Sequence, residues 1–180
     1  MPALSAILVT GSLLPASLGA HAASQSCAGA DVHPTKAEIS RVVDAALCLV
    51  NQRRADHGRR PLRVDSHLAT AATRHARDMV RHRYFSHVSR NGMTLEGRLR
   101  RSGYLRSGVF NVAEDIGWGM GAPASPRNMV RSWMASPPHR AALLDPKMRE
   151  IGMGIVAGAP NGARHNAGTY VMDLGRRHGH

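Results

Sequence analysis

The segment WMASPPHRAALLDP, residues 133–146, places a histidine directly after two prolines and between two apolar stretches. We expect Pro137 and Pro138 to end the preceding helix, since proline lacks a backbone N–H and clashes with the turn before it. His139 then begins a further helical turn, and the prolines fix the backbone that carries its imidazole. Two interpretations follow: His139 lies in a tight structural turn, or its ring is directed at a chemical partner.

The remaining segments predict helices followed by a pair of strands. Residues that suit helix N-caps precede three apolar helical patterns: Thr35 in a capping box with Glu38, Asp65 or Ser66, and Ser125 before Pro126. EIGMGIVAG (150–158) and GTYVMDLG (168–175) have the composition of strands. This order favours a layered α+β domain over alternating βαβ units.

The N-terminal sequence predicts export. Residues 1–22 contain no Asp, Glu, Lys or Arg, are apolar from Leu4 to Leu18, and end in an A-x-A pattern that is typical of a signal peptide cleavage site. A start further upstream and a retained anchor are the alternatives. We expect an exposed leader over 23–34 and a single domain over 35–180, with no transmembrane anchor after cleavage. The predicted location is extracellular, with free secretion or retention at the cell envelope.

The two cysteines, Cys27 and Cys48, are predicted to form a disulfide, because an even cysteine count in an exported chain usually means pairing. Such a bridge would fasten the N-terminal segment to the first helix and contribute about 3 kcal/mol. The alternative is a pair of buried free thiols.

The chain is strongly basic. Its net charge is +12, and Lys36 and Lys147 are the only lysines among 24 basic residues. A GC-rich genome, which favours arginine, alanine and glycine codons, would explain this charge without any function. Attraction to anionic envelope polymers or lipids is the functional alternative. Aromatic residues make up 4% of the chain, which disfavours specific nucleic-acid binding by base stacking. The sequence does not define an oligomeric state.

Three polar residues stand where the apolar periodicity fails: His87 in FSHVS, Glu114 in AEDI and His139 in SPPHR. Two neutral imidazoles and a carboxylate can hold a divalent ion such as zinc. Alternatively, the carboxylate can accept an imidazole N–H and orient the ring. His75, on the apolar face of the second helix, is interpreted as a satisfied core residue.

Five runs in a fixed order resemble a known family. They are CLVNQRRADHGRRPL, HARDMVRHRYFSHVS, AEDIGWG, WMASPPHRAALLDP and EIGMGI. Together the region from about Leu47 to Gly175 is similar to the CAP superfamily of cysteine-rich secretory, antigen 5 and pathogenesis-related 1 proteins, and most similar to its secreted bacterial SCP-domain members. The resemblance implies an α-β-α sandwich with a central, mostly antiparallel sheet.

The resemblance also implies a cavity lined by two histidines and acidic residues that can hold a divalent metal. By motif position these are His87, Glu114 and His139, with His87 and His139 as the metal ligands. Ser136 stands where members outside bacteria often have a second glutamate, and Asp115 where asparagine is usual. YVMDLG also departs from the bacterial pattern for the last strand.

Two functions fit these residues. One is a secreted ligand-binding or interaction domain; the other is a metal-assisted extracellular hydrolase with Glu114 as general base. No serine lies in a G-x-S-x-G turn, and the cysteines are assigned to a bridge. The missing second carboxylate at Ser136 favours binding over catalysis.

Overall fold

The structure, a computed structural model, describes residues 26–106 and 108–177. The predicted signal peptide, residues 1–22, lies outside the described residues. The helices are α1 (Ile39–Asp56), α2 (Ser66–His82), α3 (Leu95–Ser102), α4 (Pro126–Ala135) and α5 (Pro137–Leu143). The strands are β1 (Arg63–Val64), β2 (Phe110–Met120), β3 (Glu150–Ala157) and β4 (Ala167–Arg177). Within the described ranges, no helix is both long and apolar enough to cross a bilayer.

The four strands form one mixed sheet in the order β1-β3-β4-β2. β4 pairs antiparallel with both β3 and β2, and only the two-residue β1 runs parallel to its neighbour. The expected α+β class with a mostly antiparallel central sheet is therefore confirmed. The sequence predicts β3 and β4 as a pair of strands that follow the helices. The structure adds the long edge strand β2, which precedes α4 in the chain.

One face of the sheet is covered by α2, and two glycines of β3 allow the close approach. A Cβ on Gly152 would lie 2.1 Å from the carbonyl carbon of Leu68, and one on Gly154 would lie 2.3 Å from that of Ala72. The glycines that alternate along EIGMGI therefore mark the strand face on which the helix backbone rests.

The opposite face carries the main hydrophobic core, which α1 and α4 build with β3 and β4. Its buried members include Val42, Val50, Trp133, Ile151 and Met172. Trp133 reaches β2, where its indole N–H donates to the carbonyl oxygen of Ile116 at 3.3 Å. The sheet thus lies between two helical layers, which is the α-β-α arrangement that the resemblance implied.

Cys27 and Cys48 form a disulfide with a Cα–Cα distance of 5.7 Å. The bridge joins the N-terminal segment to α1. Cys27 and Ala30 are buried in the main core, and Arg127 on α4 forms an ion pair with Asp31 at 2.8 Å. The expectation of an exposed leader is therefore wrong for residues 26–34, because the bridge and these contacts hold that part against the domain.

Two helix starts differ from the sequence prediction. The Thr35 hydroxyl accepts from the amide of Glu38 at 3.3 Å, but this contact lies in a turn, and α1 begins four residues later at Ile39. Pro137 and Pro138 do not simply end α4. They occupy the first positions of α5, where their missing N–H groups would have no helical partner in any case. Ser136 links the two helices.

Candidate functional site

His87 and Glu114 are in direct contact. His87 lies in the loop after α2, with its side chain 55% exposed, whereas the Glu114 side chain on β2 is 2% exposed. The imidazole Nδ1–H donates to Glu114 Oε1 at 2.8 Å. The buried carboxylate therefore orients an exposed ring and leaves its Nε2 atom facing outward from the contact.

Arg98 completes this contact and was not identified from the sequence. It projects from α3, is 6% exposed, and donates through Nη2 to Glu114 Oε2 at 2.6 Å. Its Nη1 donates to the backbone carbonyl oxygen of His87 at 2.9 Å. Arg98 thus holds both the carboxylate and the backbone of the histidine loop. Its only sequence signal is its place one turn after Leu95, on the buried side of an amphipathic helix.

The contacts in this cluster account for the pKa shifts of Glu114 and His87. Burial alone would raise the pKa of Glu114, but the hydrogen bond from His87 and the positive charge of Arg98 outweigh it and lower that pKa. The hydrogen bond to Glu114 raises the pKa of His87 despite partial burial of the ring. Glu114 is therefore a stable anion that favours the protonated imidazole.

Asp173 faces Glu114 from the neighbouring strand. The two residues are register partners across the β2–β4 pair, and Asp173 is fully buried. Burial, reinforced by the negative charge of Glu114, raises the pKa of Asp173 well above its usual range. These opposite shifts favour the ionised form of Glu114 and the neutral form of Asp173. An aspartate inside the apolar run YVMDLG was a signal for this residue, since an acid rarely lies in the middle of a buried strand.

Asp115 lies on the other face of β2, because consecutive strand residues point to opposite sides. It is 2% exposed, and burial raises its pKa to about 7. Its Oδ2 atom has no hydrogen-bond partner in the part of the chain that the structure describes. At neutral pH Asp115 is thus protonated to a large extent, and a neutral carboxyl group stands in for the amide that the resemblance makes usual here.

His139 lies on α5 and is bonded to Ser136, not to Glu114. A hydrogen bond joins its Nδ1 to the Ser136 Oγ at 2.8 Å. Partial burial, together with the positive charge of His87, lowers the pKa of His139. Ser136 stands where the resemblance places a second carboxylate. Because a hydroxyl can donate or accept, it positions the ring without fixing which nitrogen carries the proton.

The structure thus joins His87 to Glu114 by a hydrogen bond and brings His139 within electrostatic range of His87. His75 lies apart from this group in the core, at 1% exposure, with its Nε2–H donating to the Ser86 carbonyl oxygen at 2.9 Å. The interpretation of His75 as a satisfied core residue agrees with these contacts.

These residues fit a zinc ion poorly. Zinc sites in proteins usually have three or four protein ligands. Here Nδ1 is occupied in both His87 and His139, and the Glu114 carboxylate is shared with Arg98. Within residues 26–106 and 108–177, no three His, Cys, Asp or Glu side chains are grouped so that they could hold a metal ion. At most two imidazole nitrogens are free to coordinate.

The geometry gives the hydrolase hypothesis no support. A general base needs an accessible lone pair and a pKa near the working pH. The Glu114 carboxylate is buried, its pKa is lowered, and both oxygens accept hydrogen bonds from His87 and Arg98.

Fold and site lead to one family. Residues 47–173 match the model of the cysteine-rich secretory protein family, CAP, and the chain belongs to that family. This match covers all five motif runs, and it includes His87, Glu114 and His139.

Two Bacillus subtilis proteins are similar in sequence. The uncharacterized membrane protein YlbC is 33% identical over 111 residues, which are 61% of this chain and 30% of YlbC. The uncharacterized protein YkwD is 30% identical over 108 residues, which are 60% of this chain and 40% of YkwD. The chain therefore spans less than half the length of these relatives.

Solved structures share the fold. An extracellular SCP-domain protein from Bacillus anthracis superposes with a TM-score of 0.64 at 24% identity, covering 79% of this chain and 44% of that one. An outer surface protein of Borrelia burgdorferi gives a TM-score of 0.61 at 21% identity, covering 73% of this chain and 90% of that one. At these identities the likeness concerns the fold.

Proposed function

We propose that this chain is an exported binding domain that attaches to anionic polymers of the cell envelope through the arginine-rich surface of α2. The observation that carries the proposal is the set Arg74, Arg77 and Arg81. Their spacing places them on one side of the helix, and all three are exposed. Within the described residues none of them has an ion-pair partner. Their charge is therefore available to an external anion.

A second basic region continues this surface beyond the end of α2. A cavity of about 560 Å³ lies between that end, the β3–β4 connection and residues 34–36. Its basic lining residues are Lys36, Arg81, Arg83 and Arg164, and none of its lining residues in the described part of the chain is acidic. A polymer with repeated negative charges could contact both regions at once, which supports a polymer over a single small anion as the ligand of this surface.

Export of the chain is part of this proposal. It is supported by the signal-like residues 1–22, by the disulfide, and by the similar solved structures, which are described as extracellular or outer surface proteins. Disulfides persist mainly in oxidising compartments outside the cytosol.

The test is binding to dextran sulfate, with neutral dextran as the reference polymer. We expect binding to dextran sulfate alone, and a steep loss with added salt, because ions screen the attraction between exposed charges. The double variant R77A/R81A should bind several-fold more weakly than the wild type. R59A/R131A is the matched control, since it removes two exposed arginines at sites away from α2.

Binding that does not change with ionic strength would refute an electrostatic mechanism. Equal weakening of binding by R77A/R81A and R59A/R131A would refute the α2 surface as the site. Binding would then depend only on the net charge of the protein. Binding to vesicles of phosphatidylglycerol is measured in the same way. Stronger salt-sensitive binding to these vesicles than to dextran sulfate would identify a lipid surface as the ligand and overturn the proposal.

A further inference from the structure

A separate cavity of about 440 Å³ lies between α2, the loop over residues 83–94, and α3. Its size is within the range of small-molecule sites in proteins. The wall includes Ala71 and Met93, which are apolar, together with several basic and polar side chains. His87, Glu114 and His139 are not among its lining residues, so this cavity shares only Arg98 with the cluster of His87, Glu114 and His139 described above.

Hydrogen bonds along the inner wall of the cavity join His75, Ser89 and the cation of Arg98. Arg98 Nη1 donates to Ser89 Oγ at 3.2 Å, and that oxygen lies 3.4 Å from His75 Nδ1. The opposite nitrogen of His75 donates to a backbone carbonyl oxygen, and burial lowers the pKa of His75, so this ring is neutral. The positive charge of the inner wall therefore comes from Arg98.

Arg98 has one donor that the domain does not use. Its Nε lies buried without a hydrogen-bond partner among the described residues, although both terminal nitrogens are satisfied. A buried unpaired N–H is costly, and native proteins nearly always supply an acceptor for it. The side chain is 6% exposed and borders the cavity, so an acceptor could come from a molecule bound there.

The rim of the cavity is also positively charged. Arg74, Arg90 and Arg101 line it, and no described residue forms an ion pair with any of them. The acidic lining residue is Asp78, which His82 and Tyr84 contact. Arg98 and the three rim arginines carry four positive charges, and Asp78 and Glu114, the partner of Arg98, carry two negative charges. The cavity therefore has an excess of two positive charges.

We propose that this cavity binds a phosphate monoester on a small organic body, with the phosphate held by the rim arginines and Arg98 and the body against Ala71 and Met93. Two excess charges match a phosphate dianion better than a single carboxylate. The planar guanidinium group binds two phosphate oxygens at once, which makes arginine the preferred residue for such ligands. The proposal shares Arg74 with the polymer-binding surface, but it can be tested separately, because Arg90, Arg98 and Arg101 lie outside α2.

The experiment is calorimetric titration of the full chain with glycerol 3-phosphate, inorganic phosphate and glycerol. We expect saturable binding of glycerol 3-phosphate and none of neutral glycerol. R90A/R101A should bind roughly tenfold more weakly or worse, since a hydrogen bond to a charged group contributes about 1.5–3 kcal/mol. R59A/R131A is the matched control: it removes two exposed arginines that do not line the cavity, and should bind glycerol 3-phosphate as the wild type does.

A second measurement locates the ligand. The ring resonances of His75 should shift during the titration with the same dissociation constant that calorimetry gives, because this ring forms part of the inner wall. Equal affinities for inorganic phosphate and the ester would show that the organic body contributes no affinity, and would overturn its placement against Ala71 and Met93. No saturable binding at millimolar concentration, an unchanged His75 spectrum, or equal weakening by both double variants would overturn the proposal.

Discussion

Glu114 and Asp173 face each other in register across two strands, both are buried, and their pKa values are shifted in opposite directions. Arg98 and His87 bind the first carboxylate and lower its pKa, while burial and the negative charge of Glu114 raise the pKa of Asp173. The same face of the sheet therefore favours the ionised form of Glu114 and the neutral form of Asp173. The cluster should respond to mutation as a unit.

The ion pair between Arg98 and Glu114 should show strong coupling in a double-mutant cycle. Arg98→Met leaves the buried Glu114 anion without its cation, and Glu114→Gln leaves the buried Arg98 cation without its anion. Each variant should lower the free energy of unfolding by about 3–5 kcal/mol. The double variant should lose much less than the sum, because no uncompensated charge remains. Urea unfolding of the four proteins measures this. Additive losses would show that the two residues act separately.

The titration of His87 should depend on Glu114. The hydrogen bond to the carboxylate raises the pKa of the imidazole, so Glu114→Gln should bring that pKa down toward its ordinary value of 6.5. A raised pKa means that this contact stabilises the fold fully below pH 6.5 and loses its effect as the pH rises through the folded-state pKa. NMR titration of the ring protons gives the value directly. A His87 curve that does not move in Glu114→Gln would contradict the assigned contact.

Asp115→Asn should stabilise the domain at neutral and alkaline pH. Burial raises the pKa of this carboxyl from 3.8 to about 7, so the folded state retains a proton that the unfolded state releases. The aspartate therefore lowers stability progressively as the pH rises from about 4 to about 7, whereas asparagine does not titrate. A pKa difference of one corresponds to about 1.4 kcal/mol, so the gain above pH 7 should reach a few kcal/mol.

Chemical unfolding near pH 4 and above pH 7 tests the sign of this effect. Asp44→Asn, at an exposed position on α1, is the matched control for the loss of one carboxyl group. A gain for Asp115→Asn that is largest at low pH would contradict the assigned direction.

Local patterns in the sequence predicted the layered α+β class, and the resemblance to the CAP superfamily identified His87, Glu114 and His139 as candidate site residues. The Ser125 cap has a local physical cause and can be identified without a structure, and the alternating glycines of β3 are visible in the sequence although their cause is the packing of α2. Arg98 and Asp173 could not be assigned in this way, because their roles depend on pairing between distant segments. Helical periodicity places Arg98 on the same side of α3 as Leu95, but its ion pair with Glu114 becomes visible only when α3 is placed against β2.

The start of α5 shows the same limit on a smaller scale. Two prolines after α4 predict a helix end, and they also suit a helix beginning; the sequence alone favoured the first. The structure has α4 and α5 separated by Ser136 alone. That short link places the Ser136 hydroxyl beside the ring of His139, at the position where the resemblance implied a second carboxylate.

Zinc should bind to the histidine pair weakly and be removed readily by a chelator. The Nε2 atoms of His87 and His139 are the free donors, and the nearest carboxylate is held by Arg98. Zinc must also displace a proton from His87, whose pKa is raised, so affinity should fall as the pH drops toward and below 6.5. Calorimetric titration of the wild type, His87→Ala and His139→Ala measures the contribution of each ring, and each variant should lose the weak binding.

Equal affinity in all three proteins would place any zinc elsewhere in the chain. Tight, chelator-resistant binding that both variants abolish would show that the pair acquires further ligands when the metal enters.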